Sequence, residues 1–255
     1  MTELVLGPDL LGLLFLVALG AGCLDTLVGG GGLIVLPALV LTGMPPLQAL
    51  GTNKLQGTMG TATATFMMLR HGKARWDDVR PLMRAAFGGA IVGSLLVQVL
   101  DARFLGFMIP VVLCGVAGYF LLSGNLLKHL RPIQLTRQTF ARRVLPLIGL
   151  YDGMFGPGTG SFFSMAGVAL QGQSLLQATA VAKTLNFATN VAALLVFIAA
   201  GQILWQAGLV MMAGQALGAW VGSHILFRIN PWYLRILIVV MCLAMLLRYL
   251  LTQSG

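Results

Sequence analysis

Long apolar runs separated by short polar or basic turns fill the chain. Runs near the ~20 residues a helix needs to cross the hydrocarbon core lie at about 47–69, 81–100, 104–125, 174–200, 205–227 and 231–250. Two further apolar stretches, 10–42 and 144–171, carry glycines in their middle: Gly29 to Gly32 in the first, and Gly156-Pro157-Gly158-Thr159-Gly160 in the second. Clustered glycines lose too much backbone entropy to stay helical, so each stretch predicts two helical pieces around a break. Backbone groups freed inside hydrocarbon need partners from neighbouring protein, a cavity or a ligand. Broken helices of this kind form the substrate sites of many secondary transporters. The pattern predicts an all-α polytopic membrane protein whose halves each hold a glycine-broken helix followed by three spanning helices.

The two broken stretches are copies of one another. Gly29 falls on Gly158, Gly31 on Gly160, Gly43 on Gly172, Gln48-Ala49 on Gln177-Ala178 and Lys54 on Lys183, all 129 residues apart. The same offset carries Gly89-Ala90 onto Gly218-Ala219 and Val92-Gly93-Ser94 onto Val221-Gly222-Ser223, whereas Asp25 meets Asp152 only across a two-residue gap. Agreement over this span indicates an internal duplication. It divides the chain into a first transmembrane repeat (1–127), a basic cytoplasmic linker (128–143) and a second transmembrane repeat (144–255).

Composition and charge set the surroundings. Of 255 residues, 58% are hydrophobic and 9% charged, where a soluble domain carries about a quarter charged; the lipid bilayer is therefore the chain's solvent. The net charge of +9 does not indicate nucleic acid, because the basic residues gather in turns between apolar runs, as a positive-inside bias requires. Turn 70–84 and segment 128–143 are basic and belong inside, as does Arg228, while the acidic N-terminus (Glu3, Asp9) and the uncharged 201–204 turn suit the outside. These assignments agree only if 10–42 and 144–171 are re-entrant hairpins that return to their own side. Each half then makes three crossings, an odd number, so the halves are inverted repeats; the alternative is eight single crossings in parallel repeats. Cys23, Cys114 and Cys242 lie in apolar runs without ligand spacing, the three histidines are scattered, and no phosphate-binding loop occurs, so no metal or cofactor is expected.

The GGGG-x-x-x-x-P pattern of Gly29 to Pro37, Ala-Leu-Gly-Thr-Asn-Lys-Leu-Gln at Ala49 to Gln56, and Tyr-Asp-Gly-Met-Phe-Gly-Pro-Gly-Thr-Gly at Tyr151 to Gly160 resemble the sulfite exporter TauE/SafE family of membrane transporters. The resemblance spans nearly the whole chain and both motif copies. It implies a multi-pass protein of a prokaryotic inner membrane that exports a small anion, often a sulfur-containing one such as sulfite, a sulfonate or a related organic acid.

Lys54 and Lys183 are the leading candidates for binding that anion. A lysine inside an apolar helix costs about 3 kcal/mol and needs protein, water or an anion beside it. Inverted halves would bring both lysines towards the midplane near the glycine breaks, where half-helix N-termini also favour negative charge. Asn53, Gln56, Asn186 and Asn190 could hydrogen-bond oxyanion oxygens, and the breaks contribute Gly30, Gly31, Gly158, Thr159, Gly160 and Ser161. Asp25 and Asp152 have two readings: they pair with the lysines, or they take up protons and couple transport to the proton gradient. Besides the carrier stand an anion channel and, from another class, an intramembrane enzyme using Asp25 and Asp152 as a proton-sharing pair. The small-residue faces Gly89-x-x-x-Gly93 and Gly214-x-x-x-Gly218-x-x-x-Gly222 serve helix packing within the chain or, alternatively, a homodimer.

Overall fold

The computed structural model describes residues 7–122 and 133–225. Helices α1 (Pro8–Val28) and α2 (Gly32–Leu41) flank the first glycine break, followed by α3 (Pro46–Arg70), α4 (Trp76–Gln98) and α5 (Ala102–Leu122). In the second half a short α6 (Arg137–Thr139), a π-helical turn (Phe140–Val144) and α7 (Leu145–Met154) run together, then α8 (Thr159–Gln171), α9 (Leu175–Ala199) and α10 (Trp205–Ile225). The last apolar run, 231–250, lies outside the described residues, as do Arg228 and the first part of the basic linker.

Local chemistry sets the boundaries. Proline in the first turn starts α1 and α3, where its missing N–H is no loss. Ser174 caps α9 by accepting from the Gln177 N–H at 3.3 Å. The entry to the second broken helix begins at Arg137, seven residues before 144, because Thr136 caps it through the Thr139 N–H at 3.2 Å. The break itself falls where expected: Gly29 closes α1 with φ +80°, and Gly156 and Gly158 separate α7 from α8 with φ +94° and +80°. These are left-handed backbone conformations that glycine adopts without steric cost.

The halves pack by exchanging partners. Among the described residues the two most extensive helix contacts are α1 with α10 and α4 with α7, and next come α3 with α10 and α4 with α9. At residue level Gly218 backs onto Leu19 and Gly222 onto Cys23, while Gly89 backs onto Pro146 and Gly93 onto Leu150. Shifting the α10 residues by 129 and the α1 residues by 127 turns the first set into the second, so the packing carries the two-residue gap that the aspartates require. In both pairings residue numbers rise together, so the helices run parallel. The long central helices α3 and α9 instead run antiparallel: Gly51 meets Phe197, Gly57 meets Asn190, and Thr65 Oγ1 donates to the Lys183 carbonyl at 3.1 Å. The small-residue faces serve contacts within the chain.

Two ends of the bundle are defined by the turns. Leu204 N–H donates to Thr52 Oγ1 at 3.0 Å, which sets the 200–204 turn beside the start of α3. At the other end α8 returns to where α6 began: the Gln134 and Leu135 N–H groups donate to the Leu170 carbonyl at 3.1 and 3.2 Å, and Gln171 Nε2 donates to the Leu135 carbonyl at 2.9 Å. The same end holds Lys73, Arg75 and Arg137 around one hollow.

Polarity is inverted relative to a soluble globule. Leu13, Leu16, Phe66, Leu95, Phe104, Phe107, Leu195 and Leu217 are exposed, whereas Asp25, Asn53, Lys54, Gln56, Asp152, Lys183, Asn186 and Asn190 are buried. Water would penalise that exposed apolar belt and lipid does not. By length and composition Pro8–Leu27, Trp76–Gln98 and Leu175–Ala199 can cross a bilayer. α3, at 25 residues, is long enough; its interior position explains why it can be the most polar of the long helices. Trp76 and Trp205 stand half-exposed at helix starts, as interfacial anchors do, and Trp220 also faces outward.

Candidate functional site

Each lysine reaches across to the other half. Lys54 Nζ on α3 lies 3.0 Å from Asp152 Oδ1 on α7, and Lys183 Nζ on α9 lies 3.3 Å from Asp25 Oδ2 on α1. Both lysines are 1% exposed. Lys183 Nζ also donates to the Asp25 main-chain carbonyl, which accepts the Gly29 N–H at 2.8 Å as well, at the C-terminus of α1. The carboxylate continues the chain of contacts, since Asp25 Oδ1 accepts from the Gly31 N–H at 3.2 Å at the entry to α2. The lysines therefore meet the C-terminal ends of α1 and α7 and their aspartates. Asp25, which accepts from Gly31 and pairs with Lys183, stands between that lysine and the start of α2.

The two breaks touch. A Cβ on Gly29 would lie 2.5 Å from Ser161 N, and one on Gly32 3.3 Å from Pro157 Cα. Tyr151 Oη donates to the Pro157 carbonyl at 2.6 Å and Thr159 Oγ1 to the Gly156 carbonyl at 2.8 Å, so freed carbonyls find donors inside the protein as the hydrocarbon setting demands.

Beside the pairs lies a cavity of about 30 Å³ lined by Asp25, Asn53, Lys54, Gln56, Asp152, Asn186 and Asn190, together with Gly32, Gly57, Thr61, Gly156 and Gln215. That is room for one or two water molecules. Lys183 stands behind Asp25. Gly30, Gly31, Gly158, Thr159, Gly160 and Ser161 shape the breaks without lining the cavity. The amides work in couples: Gln56 Nε2 donates to Asn53 Oδ1 at 2.9 Å, and Asn190 Nδ2 to Asn186 Oδ1 at 3.2 Å. Among the described residues Gln56 Oε1, Gln215 Oε1 and Asp152 Oδ2 have no hydrogen-bond partner, and Lys54 Nζ has only its ion pair. Spare buried donors and acceptors converging on one cavity are what a polar guest needs.

Gln215 was not legible as a site residue. It is 2% exposed on α10, and its duplicate position is Ala86, so the comparison of halves passes over it. The available signal was a lone amide between Gly214 and Gly218 in an apolar run. The amides are likewise unduplicated: Asn186 and Asn190 fall on Gly57 and Thr61 at the 129-residue offset. The lysines and aspartates obey the internal symmetry, and the hydrogen-bonding lining departs from it.

An all-helical bundle with an apolar exterior and a charged, duplicated centre is the architecture of a multi-spanning membrane transporter. Residues 14–249 match the family described as Sulfite exporter TauE/SafE, and the chain belongs to that family. It is 42% identical over 241 residues to "Probable membrane transporter protein ORF9" of Sinorhizobium sp., covering 94% of this chain and 92% of that one. Similarity to a "Probable membrane transporter protein" of Haemophilus influenzae is 40% over 249 residues, 98% of both chains. To "Probable membrane transporter protein YfcA" of Escherichia coli K12 it is 39% over 251 residues, 98% of this chain and 93% of that one. These are transporter names rather than enzyme names. No solved structure matches the chain.

Proposed function

We propose that the protein is a secondary carrier that exports a small anion, sulfur-containing in the manner of sulfite or a sulfonate or a related organic acid, across a prokaryotic inner membrane. The observation that carries this reading is the pair of buried ion pairs, Lys54 with Asp152 and Lys183 with Asp25, each joining one half to the other beside the glycine breaks. The family description favours the sulfur oxyanion, and Lys54, Asn53, Gln56, Asn186 and Asn190 supply the donors it would use.

Alternating access follows from inverted halves. The antiparallel course of α3 and α9, which are sequence copies, supports that inversion, because a two-fold axis relating them lies across the bundle. The return of α8 to residues 134–135 supports a re-entrant second hairpin, and the position of Gly31 against Ala21 and Asp25 supports the same for the first. The basic end is then cytoplasmic. A cavity that holds one or two waters fits an occluded carrier better than a conducting channel. Each aspartate holds its own lysine, an arrangement that favours charge pairing over a proton-sharing enzymatic dyad.

Proton coupling follows from charge. Each lysine is already balanced, so an entering anion adds an uncompensated negative charge to a dry centre. Protonating Asp25 or Asp152 would free its lysine for the anion. Proteoliposomes containing the purified chain test the reading with a panel of sulfite, sulfonates and carboxylates. Saturable, counter-flow-stimulated flux of one of these is expected; unsaturable conductance would replace the carrier with a channel.

A further inference from the structure

We infer that the chain holds one anionic phospholipid in a trough between α4 and α9, in the leaflet at the basic end of the bundle. The trough measures about 430 Å³, and its lining includes Trp76, Arg80, Arg84, Phe87, Phe187 and Val191. Positions 76, 80, 84 and 87 recur at helical spacing and form one stripe down α4. The stripe is cationic towards the start of α4 and aromatic further in, where Phe187 and Val191 of α9 complete it. That gradient is the polarity of a phospholipid, with a phosphate above a hydrocarbon chain, and arginine is well suited to a phosphate's geometry. Basic pockets between transmembrane helices take acidic headgroups for this reason.

Charge on the page commits the trough to an acidic lipid. Arg80 and Arg84 are exposed, and among the described residues no ion pair engages either: Asp78 is shared by Arg75 at 3.9 Å and Arg137 at 3.6 Å, and Asp77, also in the first turn of α4, pairs with neither arginine. Two neighbouring guanidinium groups above an apolar trough lack a counter-charge that a lipid phosphate provides. The duplication supplies an internal control. At the 129-residue offset Trp76 becomes Trp205, but Arg80 becomes Leu209, Arg84 becomes Ala213 and Phe187 becomes Thr58. The interfacial tryptophan recurs and the arginines do not, so the repeat architecture does not require them. Orientation in the membrane does not require them either, since Arg70, Lys73, Arg75 and Arg137 already load the same end with positive charge.

Native mass spectrometry of the full-length protein, titrated with phosphatidylglycerol and with phosphatidylcholine, tests this. One phosphatidylglycerol should be retained with a preference on the order of tenfold or more, as two interfacial charges give. R80Q/R84Q should lose the preference. Val191→Phe, which keeps both arginines and fills the trough, should lower occupancy as well, while Arg142→Gln should change neither. Equal retention of the two lipids, or undiminished phosphatidylglycerol binding by R80Q/R84Q or by Val191→Phe, would overturn the inference. A dimer that Val191→Phe dissociates would also overturn it, by giving the trough to a second copy.

Discussion

Lys54 Nζ stands 3.0 Å from Asp152 Oδ1 across the boundary between the two halves, with both side chains 1% exposed. Asp152 is two residues from the end of α7, so the pair ties the central helix of one half to the break of the other. Lys183 and Asp25 do the same in reverse. Any movement of one half against the other must stretch these contacts or carry them along.

The ends of the bundle give a direct test of topology. In a variant lacking the native cysteines, Cys placed at Gln202 and Cys placed at Lys73 should react with impermeant thiol reagents from opposite faces, Gln202 from the periplasm. Labelling of both from one face would reject the inverted arrangement.

Close helix approach depends on two glycines more than on their neighbours. A Cβ on Gly89 would fall on the Pro146 carbonyl and one on Gly218 on the Leu19 carbonyl, whereas one on Gly88 would meet nothing within 4 Å among the described residues. Gly89→Ala and Gly218→Ala should sharply lower the yield of folded protein in detergent, because main chain cannot yield as a side chain can. Gly88→Ala should be neutral or stabilising by up to ~1 kcal/mol, the helix propensity it adds. Thermal unfolding monitored by size-exclusion recovery reads both.

Much of this was legible in the sequence because lipid enforces simple rules: apolar length gives spans, and glycines inside a span give breaks. Duplication marks Lys54 and Lys183, and with a gap Asp25 and Asp152. What the sequence could not supply was which lysine meets which aspartate. Either lysine could reach either acid until α3 and α9 were seen to cross antiparallel and α1 and α7 each to pack against helices of the opposite half. Gln215 stayed hidden for a related reason, since symmetry finds only what both halves share; Asn53, Gln56, Asn186 and Asn190 are unduplicated too and are legible only as amides near the lysines. The helix that leads into the second break starts at Arg137, ahead of the apolar run, and Arg137, Arg142 and Arg143 resemble a linker until Thr136 is recognised as a cap.

Coupling separates the two roles of the aspartates. If a proton on Asp25 or Asp152 releases its lysine, Asp25→Asn and Asp152→Asn should abolish gradient-driven accumulation in proteoliposomes and leave anion exchange partly intact. Accumulation that survives both substitutions would leave the carboxylates as structural partners only.

The lysines offer the sharpest test, and the ion pairs change how it must be done. Methionine at Lys54 keeps helix propensity and most of the volume, yet it strands Asp152 in a dry centre, where losing one partner of a buried pair costs about 3–5 kcal/mol. Lys54→Met should therefore lower the unfolding temperature, and adding Asp152→Asn should restore much of it by removing the orphaned charge. The same holds for Lys183→Met with Asp25→Asn. Transport should behave differently. If the lysine charge offsets desolvation of the anion, both single and paired variants should lose at least about tenfold in flux, the equivalent of ~1.4 kcal/mol. Recovery of stability without recovery of flux assigns the lysines to the substrate. Flux that returns with stability in the paired variants would make the ion pairs scaffolding and place the anion elsewhere.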